Sequence, residues 1–207
     1  MLALPAFYPI VSPDVIEQRG LDTLEVTRAL LNAGATWVQF RHKGPFTRPV
    51  YDLASEVAKL VQAAGAQYIV NDRADVALML GADGVHVGQD DLPPTDVRKL
   101  VGDRLFIGYS THNEAQLRLA TSEPVDYLAL GPLFGTSSKE NPDATVGVVE
   151  LARIRDLSSK PLVGIGGITR ENVRQVFDAG ADSAAVISDF LGEDWRAAIT
   201  DWAGVRA

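Results

Sequence analysis

Two carboxylates follow two short apolar segments of the chain, at the point where each segment ends. Asp72 comes shortly after residues 68–70, and Asp91 comes shortly after residues 84–87. If the segments are parallel neighbouring strands, their carboxyl ends lie at one edge of a sheet and the two side chains converge there. Carboxylate oxygens are the ligands that a hard cation such as Mg²⁺ prefers. The spacing therefore predicts a magnesium and phosphate site.

Each carboxylate, taken alone, also has a structural interpretation. Asn71 and Asp72 are suited to cap a helix that begins near Ala74. Asp90 and Asp91 are suited to a solvated turn before two prolines. These alternatives stay open at the level of the sequence, and only the pairing of the two segments favours the metal site.

The elements that would position these residues recur as one unit: a helix-like apolar pattern, a small turn of Gly and Ala, and a short apolar strand. Gly34 and Gly65 stand where a left-handed helix C-terminus requires glycine. Strands are predicted at residues 7–11, 37–40, 68–70, 84–87, 105–108, 127–130, 161–165 and 184–187. Eight such alternations predict an α/β protein, a single-domain (β/α)8 TIM barrel over residues 1–207. The competing interpretation is an open doubly wound sheet.

Composition excludes several classes of protein. The 207 residues are 46% hydrophobic and 22% charged, which suits one substantial core. Since the chain has no cysteine, thiolate catalysis and cysteine metal sites are excluded. A net charge of -8 without a basic run argues against a nucleic-acid partner, and no apolar stretch approaches the roughly 18 residues of a membrane span. We expect a cytoplasmic protein; its oligomeric state is not predicted.

In a barrel, the residues just past the carboxyl ends of the strands line the active face. The predicted strands bring cations, carboxylates and hydroxyl groups to that face. They are Gln39, Arg41, His42, Lys43, Asn71, Asp72, Gln89, Asp90, Asp91, Ser110, Thr111, His112, Thr136, Ser137, Ser138, Lys139, Ser188 and Asp189. Such a set suits a magnesium-bound diphosphate, whose departure it would assist electrostatically. His86, flanked by valines in a strand, is more typical of a hydrogen-bonded core histidine than of a ligand.

Three further segments have two interpretations each. Residues 164–167, Gly-Ile-Gly-Gly, are typical of a barrel phosphate site built from backbone amides, or of a tight turn. Ser188 could cap the last helix or donate to the same phosphate. Residues 131–146 are rich in Gly, Ser, Thr, Asn and Pro, and they predict an active-site lid or a mobile surface loop.

Several motif blocks in one order and spacing resemble the thiamine phosphate synthase family, across essentially the whole chain. The blocks are residues 39–43, 71–78, 81–92, 110–112, 131–136 with Ser138 and Lys139, 164–168 and 187–188. The resemblance implies transfer of the aminopyrimidinylmethyl group from hydroxymethylpyrimidine diphosphate to the nitrogen of a (carboxy)thiazole phosphate. Diphosphate would leave by Mg²⁺-assisted dissociative substitution.

The resemblance also implies roles for individual residues. Asp72 and Asp91 would ligate Mg²⁺. The pyrimidine diphosphate would be held by Gln39, Phe40, Arg41, His42, Lys43, Asn71, Ser110 and Lys139, of which Arg41, Lys43, Ser110 and Lys139 would be catalytic. The thiazole phosphate would be held by Thr136, Ser137, Ser138, Gly167, Ile187 and Ser188. His42 and Ser138 depart from the family pattern, where an acidic residue and a threonine are frequent, but neither departure removes a required group.

Three other functions remain possible on the same fold. A thiazole tautomerase would bind the thiazole phosphate alone and would not need the paired carboxylates. An aldolase would form a Schiff base with Lys139, although a hydroxyl-rich loop does not depress a lysine pKa as an apolar pocket does. A non-catalytic phosphate-binding barrel is the third.

Overall fold

Eight parallel strands close into a barrel in the computed structural model, which describes residues 2–135 and 144–206. They are β1 (Phe7–Val11), β2 (Trp37–Phe40), β3 (Gln67–Asn71), β4 (Gly84–Val87), β5 (Phe106–Thr111), β6 (Tyr127–Leu130), β7 (Leu162–Ile165) and β8 (Ser183–Val186). Each strand pairs with the next, and β8 pairs with β1 through Phe7 and Ala184. Closure confirms the (β/α)8 barrel and excludes the open sheet.

Helices lie between the strands as the apolar patterns predict. They are α1 (Pro13–Gln18), α2 (Thr23–Asn32), α3 (Arg48–Ala63), α4 (Ala74–Met79), α5 (Pro94–Val101), α6 (Glu114–Ala120), α7 (Val148–Ile154), α8 (Val173–Asp178) and α9 (Trp195–Ala203). Gly34 and Gly65, which follow α2 and α3, have φ of 95° and 70°, so glycine is required there. Within residues 2–135 and 144–206, no helix combines the length and the hydropathy of a membrane span.

The molecule has two apolar layers that differ in composition. The outer layer, between strands and helices, is mostly aliphatic. The inner layer fills the barrel with Tyr8, Ile10, Trp37, Ile69, Tyr127, Ala129, Val163 and Ala185. Trp37 stacks on Phe106 with ring centroids 5.5 Å apart, and Leu2 and Leu4, which precede β1, pack against this layer. Because large rings occupy the interior, the barrel is a packed core with room for ligands only at its mouth.

Candidate active site

A pocket of about 360 Å³ opens at the carboxyl ends of the strands, and two parts of its lining differ in charge. The charged half follows β2, β3 and β4 and contains Arg41, Lys43, Asp72, Asp90 and Asp91. The neutral half comes from β6, β7, β8 and the loops after them, and its described residues are Ala129, Gly131, Pro132, Val163, Ile165, Gly166, Ala185 and Ile187. The pocket therefore offers two environments of different electrostatic character side by side.

Asp72 is the centre of the charged half. Its carboxylate accepts a hydrogen bond from Lys43 Nζ at 2.6 Å, and Asp91 is its second ionisable neighbour. Burial raises the pKa of Asp72, the hydrogen bond from Lys43 lowers it and the carboxyl group of Asp91 raises it, which together bring it to about 6. Two carboxylates that repel each other in a partly buried site are suited to a cation.

The backbone of Asp72 has an unusual conformation. Its φ of 63° is the one positive value among the described non-glycine residues. Its amide donates to the carbonyl of His86 at 2.8 Å, which continues the pairing of β3 with β4. Such a conformation costs on the order of 1–3 kcal/mol and is tolerated best by Asp and Asn. The strand end thus directs this carboxylate toward Lys43 and the pocket.

The structural alternatives for the carboxylates have different outcomes. The N-cap of α4 is Arg73, with no side-chain capping bond, so the capping interpretation of Asn71 and Asp72 is wrong. The turn interpretation holds in part, because Asp91 Oδ2 accepts from the amide of Gly88 at 2.7 Å. The Asp91 side chain is also within hydrogen-bond reach of the Asp72 carboxyl group.

The donor set fits Mg²⁺ with an incomplete protein shell. Among the described residues, no three His, Asp or Glu side chains are grouped as metal ligands. Mg²⁺ is commonly held by one or two carboxylates, with water and substrate phosphates supplying the remaining ligands. Asp72 and Asp91 match that pattern, and burial, together with the neighbouring Asp91, raises the pKa of Asp72, an effect that a bound cation would oppose.

Arg41 is the second cation of the charged half. Its amide donates to the Val11 carbonyl at 2.9 Å, which extends the pairing of β1 with β2. Burial lowers the pKa of Arg41, while Asp72 and Asp14 attract its charge. No salt bridge joins Arg41 to a carboxylate in the part of the chain that the structure describes. A half-buried guanidinium in this position is suited to bind an anionic ligand.

The side-chain amide of Asn71 has a hydrogen-bond donor without a partner among the described residues. It is buried, lines the pocket, and its Nδ2 has no hydrogen-bond partner among the described residues. A buried donor without a partner costs about 1–3 kcal/mol, and a ligand acceptor would remove that cost. This observation supports a substrate contact for Asn71.

A row of polar side chains crosses the floor of the pocket. Gln39 Nε2 donates to Tyr8 Oη at 2.9 Å, and the hydroxyls of Tyr8 and Tyr127 are 3.1 Å apart. His86 Nδ1 lies 3.1 Å from Tyr127 Oη, and its Nε2 lies 2.8 Å from Ser110 Oγ. Burial, followed by repulsion from Lys43, lowers the pKa of His86 to about 4, so the ring is neutral at pH 7. The expectation of a hydrogen-bonded core histidine is confirmed.

Two glycines shape the loop after β7. Gly166 and Gly167 have φ of 93° and 63°. A Cβ at Gly166 would lie 2.5 Å from Pro132 Cβ, and one at Gly167 would overlap the Gly135 carbonyl oxygen. Phe134 N also donates to the Gly166 carbonyl at 3.0 Å. The loop after β7 is therefore packed directly against the segment after β6. The two positive φ values fit the tight-turn interpretation, and the phosphate site stays a prediction.

Known proteins match this chain over nearly its full length. The sequence profile of the family described as thiamine monophosphate synthase matches residues 7–190. A thiamine-phosphate synthase of Koribacter versatilis is 48% identical over 92% of this chain and 90% of its own length. One from Chloroflexus aurantiacus is 44% identical over 85% of this chain and 81% of its own. The chain belongs to the thiamine monophosphate synthase family.

Solved structures agree with this assignment. The thiamine phosphate pyrophosphorylase of Pyrococcus furiosus superposes with a TM-score of 0.83 at 32% identity, covering 95% of this chain and 92% of that one. The tryptophan synthase A-subunit of the same organism has a TM-score of 0.68 at 14% identity over 96% of this chain and 97% of that one. The second likeness shows the fold alone. Membership of the thiamine monophosphate synthase family makes the protein a transferase of thiamine biosynthesis, and nothing in the comparisons supports a tautomerase.

The structure brings together most of the predicted site residues that it describes. The pocket is lined by Gln39, Arg41, Lys43, Asn71, Asp72, Asp91, Ser110 and Ile187. Gly167 and Ser188 are not among its lining residues, although their neighbours Gly166 and Ile187 are. Thr136, Ser137, Ser138 and Lys139, with the rest of residues 136–143 of the predicted lid, lie outside the described residues.

Three predicted placements are corrected. Phe40 lies in the outer apolar layer and is 1% exposed, because side chains alternate along a strand and Gln39 and Arg41 already face inward. His42 turns to Asp14, with Nδ1 and Oδ1 3.1 Å apart, and does not line the pocket. Ser188 does not cap the last helix, since α9 begins at Trp195.

Tyr8 and Tyr127, which connect Gln39 to His86 in this member of the thiamine monophosphate synthase family, were not predicted from the sequence. Both rings belong to the inner layer and are almost fully buried. Their positions inside predicted strands were a usable signal, because a tyrosine hydroxyl inside a barrel needs a partner. The sequence could not show that the partners would be one another.

Proposed function

We propose that the pocket joins hydroxymethylpyrimidine diphosphate to a thiazole phosphate, giving thiamine phosphate and diphosphate. The observation that carries this proposal is the division of the pocket into a charged half and a neutral half. One substrate carries a diphosphate that must depart, and the other presents an uncharged ring nitrogen and a single phosphate. Family membership supplies the reaction class, and the two halves supply a place for each substrate.

The charged half is proposed to hold the diphosphate. Arg41 and Lys43 donate charge-assisted hydrogen bonds to its oxygens, and these bonds strengthen as negative charge accumulates on the leaving group. Lys139 is proposed to add a third cation from the loop after β6. Bound between Asp72 and Asp91, Mg²⁺ would neutralise further charge on the departing diphosphate.

The pyrimidine ring is proposed to lie over the floor of the pocket. Asn71 Nδ2 gives a donor to an acceptor atom of this substrate, and Gln39 and Ser110 line the same region. Departure of diphosphate leaves a cation that the electron-rich aminopyrimidine stabilises. The protein must therefore hold the ring in place and keep water away, without a covalent nucleophile.

The neutral half is proposed to hold the thiazole phosphate. The apolar side chains of Ile165 and Ile187 offer a surface for the thiazole ring. Backbone amides near Gly166 and Gly167, with Ser188 and the hydroxyls of Thr136, Ser137 and Ser138, are proposed to bind its phosphate. This placement directs the ring nitrogen toward the methylene that loses diphosphate.

The same proposal places the enzyme in the cytoplasm without a nucleic-acid or membrane partner. Both substrates are phosphorylated small molecules that a membrane retains inside the cell. The net charge of -8 does not favour binding to nucleic acid or to an anionic lipid surface.

A coupling assay tests the function. Purified protein is incubated with both substrates and Mg²⁺, and thiamine phosphate is measured after oxidation to its fluorescent product. We expect product that disappears when a chelator is added and returns with excess Mg²⁺. Consumption of the thiazole phosphate without the pyrimidine substrate would support a tautomerase, and absence of turnover in all mixtures would support a binding protein.

A further inference from the structure

A continuous chain of four hydrogen bonds runs under the pocket from Gln39 to Ser110. Tyr8, Tyr127 and His86 are the intermediate members, and they are 1%, 0% and 7% exposed. The successive distances are 2.9, 3.1, 3.1 and 2.8 Å. We call this set the floor chain. It begins at an amide and ends at a hydroxyl that lines the pocket.

Donor and acceptor chemistry allows two directions along the floor chain, and burial favours one of them. Gln39 Nε2 can only donate, so the Tyr8 oxygen accepts. In the first direction, Tyr8 donates its own proton to Tyr127. Tyr127 then donates to Nδ1 of His86. A neutral imidazole that accepts at Nδ1 carries its proton on Nε2, which it donates to Ser110 Oγ. The Ser110 proton is consequently left for the pocket.

The reverse direction would move the proton that lacks a protein partner from the half-buried Ser110 to Tyr8, which is only 1% exposed. Ser110 would then donate to His86, His86 to Tyr127, and Tyr127 to Tyr8. The Tyr8 oxygen would accept from both Gln39 and Tyr127, and its own proton would have no acceptor among the described residues. A buried hydroxyl proton without an acceptor is unfavourable, so the first direction is preferred.

The absence of a side chain at Gly108 leaves room for the floor chain inside the barrel. Gly108 on β5 pairs with His86 on β4 and with Tyr127 on β6. A Cβ at Gly108 would overlap the Tyr127 ring and His86 Nδ1. The backbone of Ser110 is held separately, because its carbonyl accepts from Gln89 Nε2 at 2.7 Å. Both the position and the hydroxyl direction of Ser110 are thus determined by neighbours.

We propose that Tyr8, Tyr127 and His86 are positioning residues that hold the Ser110 hydroxyl as a hydrogen-bond donor toward the pyrimidine diphosphate. The inference rests on the proposed function for the identity of that ligand. A serine hydroxyl otherwise rotates and serves as donor or acceptor alike. Phosphate oxygens and pyrimidine ring nitrogens only accept, so a hydroxyl already turned outward as a donor needs no reorganisation on binding.

The first test measures the His86 tautomer and needs no substrate. The chain has three histidines, so ¹⁵N-histidine labelling gives few ring-nitrogen signals in an NMR spectrum. The two signals that disappear in His86→Asn belong to His86. We expect a proton on Nε2 and none on Nδ1. We expect Tyr8→Phe to disturb this state, while Tyr68→Phe, which removes a buried hydroxyl bonded 3.0 Å from the Ala54 carbonyl oxygen outside the site, leaves it unchanged. A proton on Nδ1 in the parent protein would overturn the proposed direction.

The second test asks whether Tyr127 acts through Ser110. Tyr127→Phe should lower kcat/KM for the pyrimidine diphosphate about tenfold, as expected for one misdirected hydrogen bond. The KM for the thiazole phosphate should stay at the parent value, and Tyr68→Phe should leave both parameters unchanged. When Ser110 is already replaced by alanine, Tyr127→Phe should lower kcat/KM for the pyrimidine diphosphate only slightly further. Full additivity of the two substitutions would show a merely structural role and overturn the proposal.

The two tests separate this inference from the proposed function. If the protein makes no thiamine phosphate, the pyrimidine diphosphate as ligand is overturned together with that function. The tautomer measurement still decides whether the floor chain runs toward Ser110. If synthesis is normal and the tautomer is reversed, only the positioning proposal fails.

Discussion

The two halves of the pocket are proposed to bind their ligands by different physical means. The charged half concentrates ionisable side chains whose pKa values are displaced, with Asp72 raised to about 6 and Arg41 lowered by burial. The neutral half contains no ionisable side chain among its described residues and relies on glycine, proline and branched aliphatic residues. In the charged half, partly buried charges lie close together and would be stabilised by a ligand. In the neutral half, backbone and apolar groups form a surface that needs no such stabilisation.

This difference indicates how one barrel can keep two phosphorylated substrates apart. A diphosphate gains most where Arg41 and Lys43 lie, and it would gain little among apolar side chains. A single phosphate can be bound by backbone amides without a buried lysine or arginine. Substitutions in one half should therefore affect one substrate, and the following predictions test that separation.

The largest effect is expected for Asp72→Asn, which removes one carboxylate of the charged half. Asparagine also tolerates the φ of 63°, so the backbone should be retained. We expect kcat/KM to fall about 1,000-fold, because a metal ion supplies several kcal/mol of charge stabilisation. Calorimetric binding of thiazole phosphate should be unchanged.

Asp75→Asn is the matched control for this substitution. Asp75 forms an exposed ion pair with Arg73 at 2.6 Å and does not line the pocket. Its replacement should leave steady-state kinetics at the parent level. Equal activity of Asp72→Asn and Asp75→Asn would remove the carboxylate from the proposed metal site.

A smaller loss is expected for Lys43→Gln. Lys43 contacts Asp72 at 2.6 Å and is the more exposed cation of the charged half. Its loss should lower kcat about 100-fold, as for removal of one preorganised donor to a developing negative charge. Lys59→Gln, which breaks an exposed ion pair with Glu56 on α3, should have no effect. An increase only in the KM for thiazole phosphate would contradict the assignment of Lys43 to the charged half.

Gly166→Ala probes the neutral half, with an effect of about tenfold. The added methyl group would meet Pro132, and relief of such an overlap costs roughly 1–3 kcal/mol. We expect a higher KM for thiazole phosphate and an unchanged KM for pyrimidine diphosphate.

Gly34→Ala separates the steric effect of Gly166→Ala from backbone strain. Gly34 has a φ of 95°, close to the 93° of Gly166, but a Cβ there would meet nothing within 4 Å. It should reduce stability without changing either KM. Comparable kinetic defects in Gly34→Ala and Gly166→Ala would show that global strain, and not the neutral half, is responsible.

The smallest effect is a pH dependence of stability without metal. The pKa of Asp72 is raised from 3.8 to about 6 in the folded protein, so the folded state binds the proton more tightly than the unfolded chain. The contribution of this group is therefore favourable at low pH and is lost as the pH rises from about 4 to about 6.

Denaturant unfolding of the parent and of Asp72→Asn, with chelator present, measures this dependence. Relative to Asp72→Asn, the parent should lose stability across that interval and then reach a plateau. A difference that stays constant from pH 4 to pH 7 would show that the pKa of Asp72 is not raised.

The strands were largely predictable because most are short apolar runs between turn residues. The bounds of β1, β2 and β6 agree with the sequence prediction, since each is a continuous buried segment. β5 continues through Thr111, beyond the predicted residues 105–108, because the ladder with β6 accommodates polar residues. α1, with six residues, was too short for its apolar pattern to be recognised.

The site was predictable where chemistry follows directly from strand ends. Arg41, Asp72 and Asp91 were expected at the mouth, and the structure places them there. Phe40 could have been excluded by alternation alone, because its neighbours on β2 face inward. The floor chain could not be derived, since it depends on contacts between strands that are far apart in sequence, such as Tyr8 and Tyr127.

The measurement that tests the two-halves account most directly is calorimetric binding of thiazole phosphate to protein saturated with Mg²⁺ and inorganic diphosphate. The account predicts that thiazole phosphate still binds, with one site per chain, because the charged half takes the diphosphate and leaves the neutral half open. Loss of thiazole phosphate binding in the presence of Mg²⁺ and diphosphate, restored when diphosphate is omitted, would show one shared phosphate site and contradict the account.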